Sequence, residues 1–506
     1  MTARSILFDS AEAGIAPEPA AFRDLNLDQI VAAVTLGRAE YDLAPFFHAP
    51  LRSTDLIAYR QDIFRELQRN PVTDDIKAFS RRMVSARVHL DQADKRHYPL
   101  QQERWFLSAA EHYCTAVNEL AAALSATELK SRGLIAFRDY LTGYAGSPSF
   151  QTLMAETTRL TADLAGVHYR LHLKGNRITV SRYDAEPDYS AEIEHIFARF
   201  KQGAAKDYRI PVTSSPDLNH VEAGILDRVA MLYPDSFAAL ADFRTRHTGF
   251  VDPAVAGFDR EVQFYLAYLE YLAPLEAAGL PFCYPEVSES KTIQATSTFD
   301  LALADKLVRD GVQVVRNDFA LTDPERIIVV TGPNQGGKTT FARTFGQLHH
   351  LAALGLPVPG TAARLYLFDQ VFTHFEKEES PQDLRGKLQD DLVRIHDVLR
   401  QATGQSIVIM NEIFASTTLH DALRLGRRVL AEIVERDLLC VCVTFVDELA
   451  SVSRTTVSMV STVDPGDSPN RTYVLVRRPA DGLAYAATIA SKHRLGYEQL
   501  KGRLSR

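Results

Sequence analysis

The sequence predicts an α plus α/β protein, a long helical region followed by an α/β domain built on a mainly parallel sheet. Three observations carry that expectation. From about residue 21 to 285, apolar residues recur mostly at helical spacing. Past Pro285, short β-branched runs alternate with helical patterns. One of those runs, Arg326–Val330, ends in a glycine-rich loop that opens a further helix. The chain then divides into an N-terminal arm over 1–20, a helical domain over 21–285 with a β-hairpin at about 167–182, and an α/β domain over 286–506.

In order, the arm leads through Pro17 and Pro19 to a helix near Leu25–Val31, with Asp24 or Asn26 as its cap. Pro45 and Pro50 interrupt the chain, and helical spacing resumes through Leu56, Ile57, Tyr59, Ile63, Phe64 and Leu67. It persists from about 75 to 165, where Trp105-Phe106-Leu107 and an alanine-rich stretch suit long packed helices. The period then changes to two. Val167, Tyr169, Leu171 and Leu173 alternate with His168, Arg170, His172 and Lys174, Gly175-Asn176 turns the chain, and Arg177–Arg182 returns. The polar side of this hairpin is assigned Arg170, Lys174, Arg177 and Arg182 with His168 and His172. Two readings stand for it: a grip on a phosphate backbone, or a solvated face covering a helix. From Ala191 to Leu272 the pattern is helical, and Phe258, Val262, Tyr265, Leu266, Leu269 and Leu272 form a core stripe ended by Pro274 and Gly279. Thr292–Ala304 and Val312–Val315 are strand-like pieces before the glycine loop.

Composition narrows the classes. The chain has 506 residues, 46% of them apolar and 24% charged, as in ordinary globular proteins. A net charge of −8 gives no global positive field for nucleic acid, though local basic patches remain. The four cysteines form no C-x-x-C pair and have no zinc spacing, and Cys440 and Cys442 alternate in an apolar strand. No signal peptide or membrane-spanning run is present in the sequence, so a cytoplasmic location is expected.

The chemistry centres on Thr331-Gly332-Pro333-Asn334-Gln335-Gly336-Gly337-Lys338-Thr339-Thr340, which fits G-x-x-x-x-G-K-[ST]. Glycines let backbone N–H groups close around phosphate oxygens, and the helix N-terminus adds positive charge. Lys338 reaches the β- and γ-phosphates and the Thr339 hydroxyl binds Mg²⁺, so ATP and Mg²⁺ are the expected ligands. Lys338 is expected to be solvated in the empty loop. A second buried run, Ser406–Met410, ends in Asn411-Glu412. Glu412 is the candidate for orienting the attacking water. Asn411 occupies the metal-side position, where a charged carboxylate would be usual.

These residues resemble the MutS mismatch-repair ATPases. The loop is similar to their T-G-P-N-x-G-G-K-[ST]-T, and Asn411–Asp421 resembles their D-E-I-G-R-G-T-[ST]-x-x-D. Glu412, Ile413, Thr417 and Asp421 match, while Asn411, Phe414 and Ala415 depart. No LSGGQ-like segment precedes Ser406, which argues against a transporter ATPase. The likeness covers about residues 320–506; upstream, only a faint match to the entry of the core domain exists.

The resemblance implies a phosphate-loop ATPase domain on a helical core and lever, without the N-terminal mismatch-reading and connector domains. It implies a homodimer through the ATPase domain, DNA as partner, and ATP binding with slow hydrolysis as a switch. The alternative is a nucleotide-gated protein-interaction module that binds no DNA. Phe445 stands where the family has a γ-phosphate-sensing histidine. No serine occupies the trans-acting loop near Arg385–Asp391, where Arg385 or Lys387 is the substitute candidate. Val314 stands near the position of an adenine-stacking aromatic, and Asn317 follows.

Overall fold

The computed structural model describes residues 5–8, 17–69, 71–184, 193, 195, 196, 218–376, 386–463 and 471–480. Arg385, most of the arm and most of the stretch from 185 to 217 lie outside the described residues. Contacts divide the chain into two compact units, Pro71–Leu129 with Ala136–Asp259, and Arg4–Asn70 with Lys130–Ile135 and everything from Arg260. That division differs from the change in sequence character at 286. The helix Thr54–Arg69 and the end of Pro253–Ala277 read as helical core, yet they pack within the unit that holds the α/β elements. None of the described helices is long and apolar enough to cross a membrane.

The first unit is helical. Val72–Lys95 and Pro99–Ala126 lie against each other, burying Phe79, Met83, Leu107, Ala110 and Val117. Phe137 stacks on Phe258 with ring centroids 3.6 Å apart, and the buried Asp259 carboxylate pairs with Arg87. The hairpin forms as the period-two pattern predicts, with Tyr169–Lys174 antiparallel to Arg177–Arg182. Its pairing corrects one assignment. Arg182 lies opposite Tyr169, so it belongs to the apolar side. There it donates to the Leu232 carbonyl at 2.6 Å, at the end of the helix His220–Leu232, and its guanidinium lies 5.0 Å from the Tyr233 ring. Arg170, His172, Lys174 and Arg177 remain on the polar side. The opposite side leaves Tyr169, Leu171 and Leu173 exposed.

The second unit carries two larger sheets. In the six-stranded sheet, β1 (Ile327–Thr331), β2 (Val371–His374), β3 (Ile407–Asn411), β4 (Leu439–Val443), β5 (Thr456–Val463) and β6 (Arg471–Arg477) lie in the order β2-β3-β4-β1-β5-β6. Four pairings are parallel, and β5–β6 is antiparallel. Every residue of β1, β3 and β4 is buried, which is why these strands read as unbroken apolar runs. Ile327, Val329, Val408, Cys440 and Cys442 share one core with residues of the helices Lys387–Gln401 and Leu419–Glu435. The helix Lys338–Ala353 (α1) also packs against β3 and β4.

A smaller sheet pairs Glu286–Ser288, Ala362–Tyr366, Ile293–Thr298 and Asn317–Leu321 in that order. This corrects the reading of Thr292–Ala304 and Val312–Val315 as strands. Ile293–Thr298 is a strand, but Leu301–Arg309 is a helix, started by the Asp300 carboxylate accepting from Leu303 N at 3.0 Å. Val312–Val315 belongs to no strand. Pro274 likewise does not end its helix, which runs to Ala277 before Gly279 turns with φ +80°.

The first described residues are held firmly in this unit. Glu261 accepts from Ile6 N and from the Ser5 hydroxyl, both at 2.8 Å. Arg60, fully buried, donates to Leu7 O at 2.9 Å and Leu354 O at 3.1 Å, and burial lowers its guanidinium to about 10. Arg60→Ala removes donors from two buried carbonyls and should destabilise the chain by roughly 2–4 kcal/mol. Urea unfolding checks this; a midpoint unchanged from wild type would show that water replaces the guanidinium.

Candidate functional site

The glycine loop leaves the carboxyl end of β1, where ligands of parallel α/β sheets gather. Its neighbour in the sheet is β5, and Val460 pairs with Thr331. Ser461 therefore comes against the loop, and its hydroxyl donates to Gly336 O at 2.6 Å. A Cβ at Gly336 would run into that hydroxyl and would sit 2.9 Å from Pro333 O, so only glycine fits. Gly337 adopts φ +88° directly before α1, a conformation that costs a side-chain-bearing residue.

Lys338 begins α1 and is buried, which corrects the expectation that it is solvated. Its ammonium donates to Gly332 O at 2.8 Å and Pro333 O at 3.0 Å, so the loop folds around its own lysine. The same nitrogen lies 4.4 Å from the Phe445 ring centroid. Burial lowers the lysine from its ordinary value, and the Glu412 carboxylate opposes that shift. Thr339 donates its hydroxyl to Asn411 Oδ1 at 3.0 Å, which joins the helix start to the end of β3. Pro333, Asn334, Gln335 and Thr340 complete the loop, and Gln335 Oε1 accepts from Arg471 at 2.5 Å.

Glu412 follows β3 with φ +57°, uncommon for a residue with a side chain, and its N–H is held by Val443 O at 2.9 Å. An outlier beside a cavity is a pointer to function. Burial raises its carboxyl above the ordinary value; Lys338 pulls it down and Glu376 pushes it up. Register explains Glu376: His374 pairs with Met410, so Glu376 and Glu412 each lie two residues beyond that pair. Lys387 forms an ion pair with Glu376. Asp421 is engaged in its own first turn, its carboxylate accepting from Thr418 at 2.9 Å.

A cavity of about 450 Å³ runs from Gln335–Thr340 and Glu412 to Leu303, Leu307, Val312–Val315, Asn317 and Tyr473. Lys338, Thr339, Asn411 and Glu412 thus converge as the sequence suggested, and Val314 and Asn317 border the same space. Ser461, Arg471 and Tyr473 escaped sequence reading, because they reach the loop through sheet pairing and carry no local motif. Thr339 Oγ1 and Asn411 Oδ1 are a donor set that suits Mg²⁺, which takes few protein oxygens when phosphates and water complete its shell. No group of three or more histidine, cysteine or carboxylate side chains suited to a metal occurs among the described residues.

The geometry is that of an α/β domain with its cavity at the carboxyl ends of parallel strands. Residues 328–483 match the family described as MutS domain V. A DNA mismatch repair protein msh3 of Botryotinia fuckeliana is 30% identical over 201 residues, 38% of this chain and 18% of that protein. A DNA mismatch repair protein MutS of Shouchella clausii is 26% identical over 223 residues, 44% of this chain and 25% of that one. An Endonuclease MutS2 of Thermus thermophilus is 31% identical over 189 residues, 37% of this chain and 25% of the relative. Over this C-terminal part the chain is similar to the MutS family, in the region described as MutS domain V. The matched stretch spans a quarter or less of each of these relatives.

Proposed function

We propose that the protein is a homodimeric, DNA-binding ATPase of MutS type that uses ATP binding and slow hydrolysis as a conformational switch in the cytoplasm. Residues 286–506 are the phosphate-loop ATPase domain and 21–285 the helical core and lever. The observation that carries the reading is that Lys338, Thr339 and Glu412 line one cavity and that Asn411 is hydrogen-bonded to Thr339 beside it. Lys338 and the backbone N–H groups at the start of α1 hold the β- and γ-phosphates. Thr339 and Asn411 would hold Mg²⁺, whose charge would offset that of the phosphate oxygens. Glu412 accepts a hydrogen bond from the attacking water and fixes its line of approach. The family's composite site supports a dimer through this domain. Names of the relatives, two mismatch repair proteins and an endonuclease, support DNA as the partner.

The alternative is a nucleotide-gated module that docks a protein and leaves DNA unbound. Two observations favour it: the net charge of −8, and the hairpin side that exposes Tyr169, Leu171 and Leu173. Electrophoretic binding of duplex and branched DNA, with and without ATP and at several salt concentrations, separates the two. The main reading expects binding that weakens steeply with salt, as phosphate contacts require. No binding at low salt in either nucleotide state would leave the protein-docking reading. Light scattering should show a dimer that tightens with ATP and Mg²⁺; a monomer at micromolar concentration in both states would remove the composite site.

A further inference from the structure

Two cations stand against the glycine loop, and the phosphate-loop pattern accounts for one of them. Lys338 belongs to the loop itself. Arg471 opens β6, an edge strand with β5 between it and β1. A regular ladder would keep it one strand away from the loop. The β5–β6 register shifts between Ser461 and Val463, just where Val463 pairs with Arg471. Irregularities of this kind re-aim side chains. The Thr462 hydroxyl donates to Val474 O and the Thr472 hydroxyl to Thr462 O, both at 2.9 Å, which pins the shift in place. The Arg471 guanidinium thereby reaches Gln335 Oε1 in the middle of the loop.

Gln335, which lines the cavity, makes this contact at a cost. It has φ +57°, in the left-handed region that a residue with a side chain rarely enters. A glycine would take that backbone freely but would leave Arg471 without its acceptor. The arginine is also close enough to Lys338 for the two charges to interact. Burial lowers the ammonium most, Arg471 adds to that lowering, and Glu412 and Asp447 oppose it. Two like charges at one loop repel, and a polyanion bound to both turns that repulsion into attraction. The metal side is weak by comparison. Thr339 Oγ1 and Asn411 Oδ1 are both neutral, whereas Mg²⁺ is usually held through one or two carboxylates.

We propose that Arg471 is a phosphate-binding residue, and that with Lys338 it offsets enough of the triphosphate's charge for ATP to bind nearly as well without Mg²⁺ as with it. Gln335 carries the guanidinium to the loop and takes one of its N–H groups. The rest of the planar fork is then available to phosphate oxygens. The proposal rests on the nucleotide-binding reading of the same cavity and adds how that site balances charge. Nucleotide binding and metal-dependent turnover then have separate requirements.

The test is calorimetric binding of ATP and of inorganic tripolyphosphate to the full chain, each with Mg²⁺ and each in EDTA. Wild type should bind both ligands in EDTA within about tenfold of its affinity with Mg²⁺. Arg471→Met keeps much of the side chain's length without its charge. It should weaken both ligands by about tenfold with Mg²⁺ and by about a hundredfold in EDTA, the range of hydrogen bonds from a charged donor. Arg471→Lys should recover part of the EDTA affinity, because it restores the charge but not the fork. A wild-type loss in EDTA larger than about tenfold would overturn the charge balance. An equal loss in Arg471→Met with and without Mg²⁺ would make the arginine a brace for the loop and overturn the phosphate contact. Full tripolyphosphate affinity in Arg471→Met would overturn it too. If wild type binds neither ligand with Mg²⁺, the nucleotide-binding reading falls and takes this proposal with it.

Discussion

Lys338→Ala is expected to lose ATP affinity by about a hundredfold, close to the roughly 3 kcal/mol of one or two hydrogen bonds from a charged donor. Lys338 is the cation at the loop's end, and its two present acceptors, Gly332 O and Pro333 O, are backbone groups. To serve phosphate it must exchange those carbonyls for ligand oxygens. The exchange is favourable because a doubly charged phosphate group is a better acceptor than a neutral carbonyl. The same hydrogen bonds mean that the substitution also loosens the loop. Lys338→Ala should therefore keep its fold by circular dichroism and show faster amide exchange at 332–337. Calorimetry with ATP and Mg²⁺ measures the affinity; an unchanged value in a folded variant would remove the phosphate-loop assignment.

What could be read from the sequence depended on how local the cause was. The hairpin at 169–182 was legible because alternation and Gly175-Asn176 lie within a dozen or so residues. The glycine loop and Asn411-Glu412 were legible because each follows an apolar run, and parallel pairing brings such strand ends together. Ser461 was not, because it meets the loop only through the β1–β5 pairing. Tyr473 was hidden for the same reason, one strand further out. Val312–Val315 has strand composition, yet the chain runs there as one wall of the cavity. Arg182 looked like one more hairpin cation until its register placed it against the end of another helix. The contact boundary within Pro253–Ala277 had no sequence signal, since the apolar stripe continues past it unchanged.

Glu412→Gln is expected to bind ATP and Mg²⁺ as wild type does and to lose most of its turnover, roughly a hundredfold to ten-thousandfold. The amide keeps the size of the carboxylate, and the backbone at φ +57° stays fixed through Glu412 N–H to Val443 O. What it loses is a negative acceptor for the water's proton. Burial has raised this carboxyl, so acidification should silence turnover earlier than it would for an exposed glutamate. Wild type itself should be slow. Asn411 supplies a neutral oxygen beside Thr339, so the metal side lacks one negative charge. Phe445 offers its ring to Lys338 but no hydrogen bond to phosphate. Asn411→Asp keeps the acceptor for the Thr339 hydroxyl and adds that charge. It should half-saturate at lower Mg²⁺ and turn over faster, each tenfold corresponding to about 1.4 kcal/mol of barrier. Single-turnover hydrolysis of wild type, Glu412→Gln and Asn411→Asp, run side by side, decides the assignment. If wild type is fast and Glu412→Gln equally fast, another group orients the water and the role given to Glu412 is wrong.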